Sequence, residues 1–317
     1  MKKVLMAMMA AAMLASCSNE ETIIVAQPDE IGFGAPFIEN STRASVDSYT
    51  TVDAFKVWGD VKGNVGVKIM LYNGAEVELE DGVYTCNQKE YWLPLSTYNF
   101  LAIAGATNVT PETGFPTTVS YTADGTTDLL ISEKVAVETD QSSTPSGAIS
   151  NSKVAFTFQH LLSKVVFSAV GAEGDGYTYE VTDIQIMNAK AEGSVDVQTK
   201  SWNTPTGTKT IGDFGGIEGA FDGNYTECQY PMLLIPHDYV AGSEIEISMV
   251  VTTYFNNELV QITEYTGEQG KEPRLKAAVN LQPGCSYNFK FEVNVGMPID
   301  FSVGEQQGWN DNTINIS

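Results

Sequence analysis

From Tyr287 onward, apolar and polar side chains alternate without a break. Tyr287, Phe289, Phe291, Val293 and Val295 fall on one face, and Asn288, Lys290, Glu292 and Asn294 on the other. A period of two places successive side chains on opposite faces of an extended chain, so this run predicts a half-buried antiparallel strand. Residues 244–254 carry the same pattern, with Ile245, Ile247, Met249 and Val251 against Glu244, Glu246, Ser248 and Val250. Further strands are predicted at 54–58, 67–72, 98–104, 154–158, 164–170, 179–188 and 232–235, with Gly, Asn, Asp and Pro between them where turns need them. No segment has a long apolar stripe at helical spacing. Two short helices are expected, near residues 126–132 and 160–164. The predicted class is all-β, built from sandwiches.

The first residues read differently. Lys2 and Lys3 precede an apolar run over residues 4–14, too short for the about 20 residues that span a bilayer. The run ends in Leu14-Ala15-Ser16-Cys17, a lipobox in which small residues mark the cut and Cys17 takes the lipid. Residues 1–16 are thus a lipoprotein signal peptide, and residues 17–29 a lipidated linker. The acidic stretch Ser18-Asn19-Glu20-Glu21 fits export to the outer face of the outer membrane. At the middle of the chain, residues 138–152 are polar and without period, including Ser142-Ser143-Thr144-Pro145-Ser146-Gly147. That composition suits a linker. It divides the fold into an N-terminal sandwich, 30–150, and a C-terminal sandwich, 151–317.

Charge narrows the partners. Lys plus Arg is 17 and Asp plus Glu is 40, giving a formal net charge of −23. Nucleic-acid binding needs basic surface to replace the counterions of phosphates, so it is excluded. An anionic membrane surface is disfavoured for the same reason. With 43% hydrophobic residues, the chain has the apolar content of a folded protein, unlike an acidic disordered tail.

Candidate chemistry is sparse. The two histidines, His160 and His237, have no second ligand at metal spacing. His160 precedes Leu161-Leu162 and reads as structural. Asp222-Gly223-Asn224 and Asn310-Asp311-Asn312 fit turns rather than a calcium loop. Cys86, Cys228 and Cys285 form no CxxC pair and are read as three buried free thiols, with one disulfide plus one free thiol as the alternative. No cofactor, metal or catalytic residue is predicted. Arginine is scarce: Arg43 and Arg274 are the only two. Arg43 lies in the small polar stretch Asn40-Ser41-Thr42-Arg43-Ala44-Ser45, the kind of exposed segment that proteases nick.

Several short motifs, in this order, resemble the fimbrillin-like family, the subunits of type V pili on Gram-negative anaerobes. They are the lipobox at Cys17, Thr42-Arg43-Ala44 after a first strand, Tyr91-Trp92-Leu93-Pro94, and Asp128-Leu129-Leu130-Ile131. Phe156-Thr157-Phe158-Gln159-His160-Leu161-Leu162-Ser163-Lys164-Val165 follows and is the most telling. Leu233-Leu234-Ile235-Pro236, Leu281-Gln282-Pro283-Gly284, Ile299-Asp300-Phe301-Ser302 and Gly308-Trp309 complete the set. The resemblance covers roughly residues 30–317.

The resemblance implies two tandem β-sandwich domains of transthyretin-like type. It implies a lipoprotein precursor at the cell surface, anchored in the outer membrane through acylated (palmitate-bearing) Cys17. An arginine-specific protease would cut between Arg43 and Ala44 and remove the first strand, in which Ile31, Phe33, Ala35 and Phe37 would share one face. A strand from another fimbrial subunit would then fill the groove by β-strand addition. A C-terminal strand is expected from Ile299, Phe301 and Val303, with Ile314 and Ile316 beyond it. The tail after Trp309 is short and only modestly apolar, which favours a tip, accessory or anchor subunit over a stalk subunit. The adhesive partner would be a host protein or glycan. A competing reading is an outer-membrane glycan-binding lipoprotein that uses Trp202 and Trp309 as exposed stacking platforms, with Trp58 and Trp92 in the core. A hydrolase on a β-sandwich is the third reading, and nothing in the sequence selects its carboxylate pair.

Overall fold

The computed structural model describes residues 29–39 and 52–309, apart from 65, 112, 173, 175, 213 and 305. Among these residues every regular element is a strand. The first half supplies β1 (Gly32–Phe33), β2 (Phe37–Glu39), β3 (Ala54–Lys62), β4 (Lys68–Glu80), β5 (Val83–Cys86), β6 (Thr97–Ala104), β7 (Asn108–Thr110) and β8 (Thr118–Thr122). There follow β9 (Leu130–Ser132), β10 (Val135–Thr139), β11 (Pro145–Gly147), β12 (Ile149–Ser150), β13 (Lys153–Val154) and β14 (Thr157–His160). The main sheet of this half runs β2-β14-β9-β6-β3-β4-β5, with β10 also on β6, and β1-β13-β12 form a small sheet beside it.

Neither expected helix is present. Residues 130–132 and 157–160 are β9 and β14, which pair with one another. Ahead of β9, the Asp124 carboxylate accepts the backbone N–H groups of Thr126 and Thr127 at 2.8 and 2.7 Å. That satisfies the donors of a single turn, which then leads into the strand. In β14, sheet neighbours on both sides override local preference.

The second half is built on two long strand pairs. Ser163–Gly171 runs parallel to Cys285–Val293, and Tyr177–Asp196 pairs antiparallel with Ile245–Phe255. The alternation read from the sequence governs burial here: Tyr287, Phe289, Phe291 and Val293 are all inside. Val295 lies beyond the end of that strand and is exposed.

Sheet pairing does not divide at residue 150. β7 and β8 join the second half, where β8 pairs with residues 192–196 of the long strand. In the other direction, Val154, Phe156 and Phe158 pack into the first core. β6 explains why the halves interlock. Tyr98, Phe100 and Ala102 face the first core, while Leu101 and Ile103 on its other face belong to the second. A strand covered on both faces reads as a continuous apolar run, as residues 100–104 do.

Candidate functional site

The site expected from the sequence is the first strand, and its geometry follows from its apolar spacing and one proline. Ile31 and Phe33 point inward and are 2% and 1% exposed. Phe33 sits in an aromatic nest, with ring centroids 5.5 Å from Tyr72, 5.9 Å from Phe156 and 6.1 Å from Phe100. Burying one such ring is worth about 1.5–3 kcal/mol. The alternation then fails. Ala35 is exposed, Pro36 is buried and Phe37 is only half-buried. The four expected residues therefore do not share one face. Pro36 has no N–H to give the ladder, so the strand breaks into β1 and β2 with a shift between them.

Each piece pairs in parallel on the same side. Gly32 and Phe33 face Lys153 and Val154 of β13, and Phe37, Ile38 and Glu39 face Thr157, Phe158 and Gln159 of β14. Gly34 N–H donates to the Val154 carbonyl at 2.9 Å, and Phe37 N–H to the Phe156 carbonyl at 2.8 Å. The opposite side is stitched to the loop before β6. Ile31 N–H donates to the Glu90 carbonyl at 2.8 Å, and Trp92 N–H to the Asp29 carbonyl at 3.0 Å. At this mouth Glu30 pairs with Lys89 at 3.1 Å, and that bond holds the lysine above its ordinary pKa. The segment thus closes the first core as a wedge between two walls, held by a few backbone bonds and two apolar plugs. Cys86, on β5 near Glu30 and Glu90, is half-buried, and burial pushes its thiol pKa up.

Cys17, Arg43, Ala44, Ile314 and Ile316 lie outside the described residues. The C-terminal strand is present. Asp300–Val303 pairs antiparallel with residues 289–292, and Ile299, Phe301 and Val303 pack on the second core. Phe301 stacks on Phe291 at 5.5 Å and meets Phe289 edge-on at 5.9 Å. In this state the strand is used at home.

Sequence reasoning missed one cluster, at the corner where the chain passes from the first sheet to the second. His160 Nδ1 lies 2.5 Å from Asp128 Oδ2, and both side chains are buried. Asp128 is set in place by Gly105. There φ is +73°, and a Cβ would lie 1.7 Å from the Asp128 carbonyl oxygen, so only glycine fits. The His160 ring stacks on Trp309 with centroids 3.9 Å apart and planes 7° from parallel. Lys164 Nζ lies 5.9 Å from the centroid of the same indole. Asp128 Oδ1 and Trp309 Nε1 are buried without a hydrogen-bond partner. Such an atom costs about 1–3 kcal/mol, so this corner is held by packing against a polar penalty. Asp128 and His160 both stand in motifs that carry the family resemblance, but nothing in the sequence pairs them across 32 positions.

The same corner removes the proposed stacking platforms. Trp309 is 0% exposed. Trp202 is half-buried, donates its Nε1–H to the Leu161 carbonyl at 2.6 Å and meets Tyr121 edge-on. Trp309 offers no open face to a sugar, and Trp202 is partly covered. Trp58 and Trp92 are in the core, as expected. Among the described residues, Cys86, Cys228 and Cys285 form no disulfide, and Cys86 is only half-buried. Asp222 Oδ1 accepts the Asn224 N–H at 2.9 Å, a turn-forming bond. Among the described residues, no three or more His, Cys, Asp or Glu side chains are grouped to hold a metal ion.

The geometry defines an all-β sandwich protein whose first core is completed by its own N-terminal edge segment. The sequence matches the fimbrillin-like family over residues 42–306, and the chain belongs to that family. This is a family of fimbrial subunits, structural proteins of cell-surface fimbriae. No curated protein matches the sequence. Among solved structures, the chain is similar to a fimbrial protein from Bacteroides vulgatus, with 12% identity, a TM-score of 0.54, and coverage of 89% of this chain and 99% of that one. It is also similar to a candidate cell adhesion protein from Bacteroides ovatus, with 16% identity, a TM-score of 0.50, and coverage of 90% and 98%. At these identities the likeness speaks to the fold.

Proposed function

We propose that the chain is a structural and adhesive fimbrial subunit that gives up its N-terminal segment and accepts a strand from a neighbouring subunit in its place. The observation that carries this reading is the wedge itself. Ile31 and Phe33 complete a core, yet the segment holding them is an edge strand broken at Pro36 and joined by two short parallel pairings. Removing it would bare an apolar groove lined by Tyr72, Phe100, Phe156 and Trp92, between two rows of unpaired backbone groups. Another extended chain could satisfy both. The family match begins at residue 42, just past this segment, which adds support.

In this reading Cys17 is lipidated, and the precursor reaches the outer face of the outer membrane. An arginine-specific protease then cuts between Arg43 and Ala44. The strand Asp300–Val303 is engaged in the chain's own second core, which supports a tip, accessory or anchor place over a stalk place. With Trp309 buried and Trp202 half-buried, glycan stacking on these indoles is not supported. The test is mass spectrometry of the N-terminus of the chain taken from intact cells, with and without inhibitors of trypsin-like proteases. A chain that begins at Ala44, and that is lost on inhibition, is expected. A chain that keeps acylated Cys17 under both conditions would overturn the processing step.

A further inference from the structure

We infer that the groove and the C-terminal end are coupled through β14, with the stack of Trp309 on His160 as the clasp that senses whether the groove is filled. The inference rests on the reading that residues 29–39 are exchangeable. Residues 37–39 and Trp309 both meet on this one four-residue strand. On its outer edge, Phe158 and Gln159 pair with Ile38 and Glu39 of the wedge. One residue further, His160 carries Trp309 on its ring face. On its inner edge β14 has three pairings with β9, flanked by one backbone bond at each end, Glu133 N–H to the Thr157 carbonyl at 3.2 Å and Leu161 N–H to the Leu129 carbonyl at 3.0 Å. Emptying the groove turns β14 into an edge strand, with His160 as its last residue.

The clasp is built to respond. Trp309 is held by its stack, by one backbone bond to the Gly284 carbonyl at 3.2 Å, and by the two-residue pairing of Gln307 and Gly308 with Ser286 and Cys285. Its Nε1 has no partner, and neither has Oδ1 of Asp128, the carboxylate that orients His160. The indole N–H gives up no hydrogen bond when the ring leaves and would reach water, so what opposes opening is the ring's burial, its stack on His160, the Lys164 contact and the Gly284 bond. A filled groove therefore keeps the C-terminal end docked, and an empty groove loosens it. A subunit then shows a closed C-terminal end while its groove is filled, by its own segment or by a received strand, and a loosened one in between. Coupling of this kind is reciprocal: whatever opens the clasp weakens strand binding by the same factor.

The test uses the Arg274→Lys chain, in which Arg43 is the one remaining arginine. It is cut with an arginine-specific protease and stripped of its N-terminal segment, and a synthetic peptide of residues 29–39 is then titrated in. Adding peptide is expected to slow amide exchange over residues 306–309 at least ten-fold, with residues 286–292 much less affected. Trp309→Ala is expected to weaken peptide binding at least five-fold. Trp309→Phe keeps a ring and loses only the partnerless N–H, and it should restore binding to within two-fold. Equal peptide affinity in the parent and Trp309→Ala chains, or exchange at 306–309 that ignores the peptide, would overturn the coupling and leave strand exchange standing. A parent chain that does not bind the peptide would overturn both.

Discussion

At the scale of single residues, Phe33 is the plug of the first core, and its worth can be measured. Phe33→Ala in the uncut chain is expected to cost about 3–5 kcal/mol, the range for emptying a well-packed aromatic site. A denaturant midpoint lowered without a change in slope would show it. A loss under 1 kcal/mol would mean that the nest of Tyr72, Phe100 and Phe156 closes over the gap. The buried phenols give a pH signature. Burial pushes Tyr239 and Tyr287 from 10.0 up to about 12. Between those values the unfolded chain has shed protons that the folded chain keeps. Stability is therefore fully present below pH 10 and falls as pH rises from 10 to about 12. The denaturant midpoint should drop across that window, and Tyr287→Phe should flatten the drop. The inward side chains were legible in the sequence because a strand's alternation directly encodes its faces. The Asp128–His160–Trp309 corner was not, since three residues far apart in the chain meet only through the fold.

At the scale of elements, most strands could be read from their period, and the errors share a cause. The expected helices at 126–132 and 160–164 are short apolar runs, and such runs carry no reliable period. Their strand character comes from partners on β2, β6 and β9. The crossing of β7 and β8 into the second half was equally hidden, since alternation says which face is buried but not which strand lies alongside. Pro36 splits the wedge in two, where plain apolar spacing would have given one strand. In the proposed reading that split eases removal of the wedge, and Cys86 would report its loss. The thiol is half-buried beside Glu30 and Glu90, which flank the wedge's mouth. Stripping residues 1–43 should raise its labelling rate by an iodoacetamide probe at least ten-fold, with Cys228 and Cys285 remaining slow. Unchanged labelling would place the thiol's cover elsewhere.

At the scale of the whole molecule, the acidic balance of 40 acids against 17 bases bears on assembly. Like-charged subunits repel at long range, and this repulsion keeps them soluble before they join. In the proposed reading, association comes from a contact strong enough to overcome it, a buried strand with its apolar plugs. The fold shown here is a chain that supplies that strand to itself. The most direct test of the central claim is therefore an exchange reaction followed by native mass spectrometry. The Arg274→Lys chain is cut after Arg43 with its own segment still bound, then incubated with excess isotope-labelled peptide of residues 29–39. The account predicts that the labelled peptide replaces the chain's own segment one for one, and that a peptide carrying Phe33→Asp does not. A cut chain that holds its original segment throughout, or that takes up both peptides alike, would contradict it.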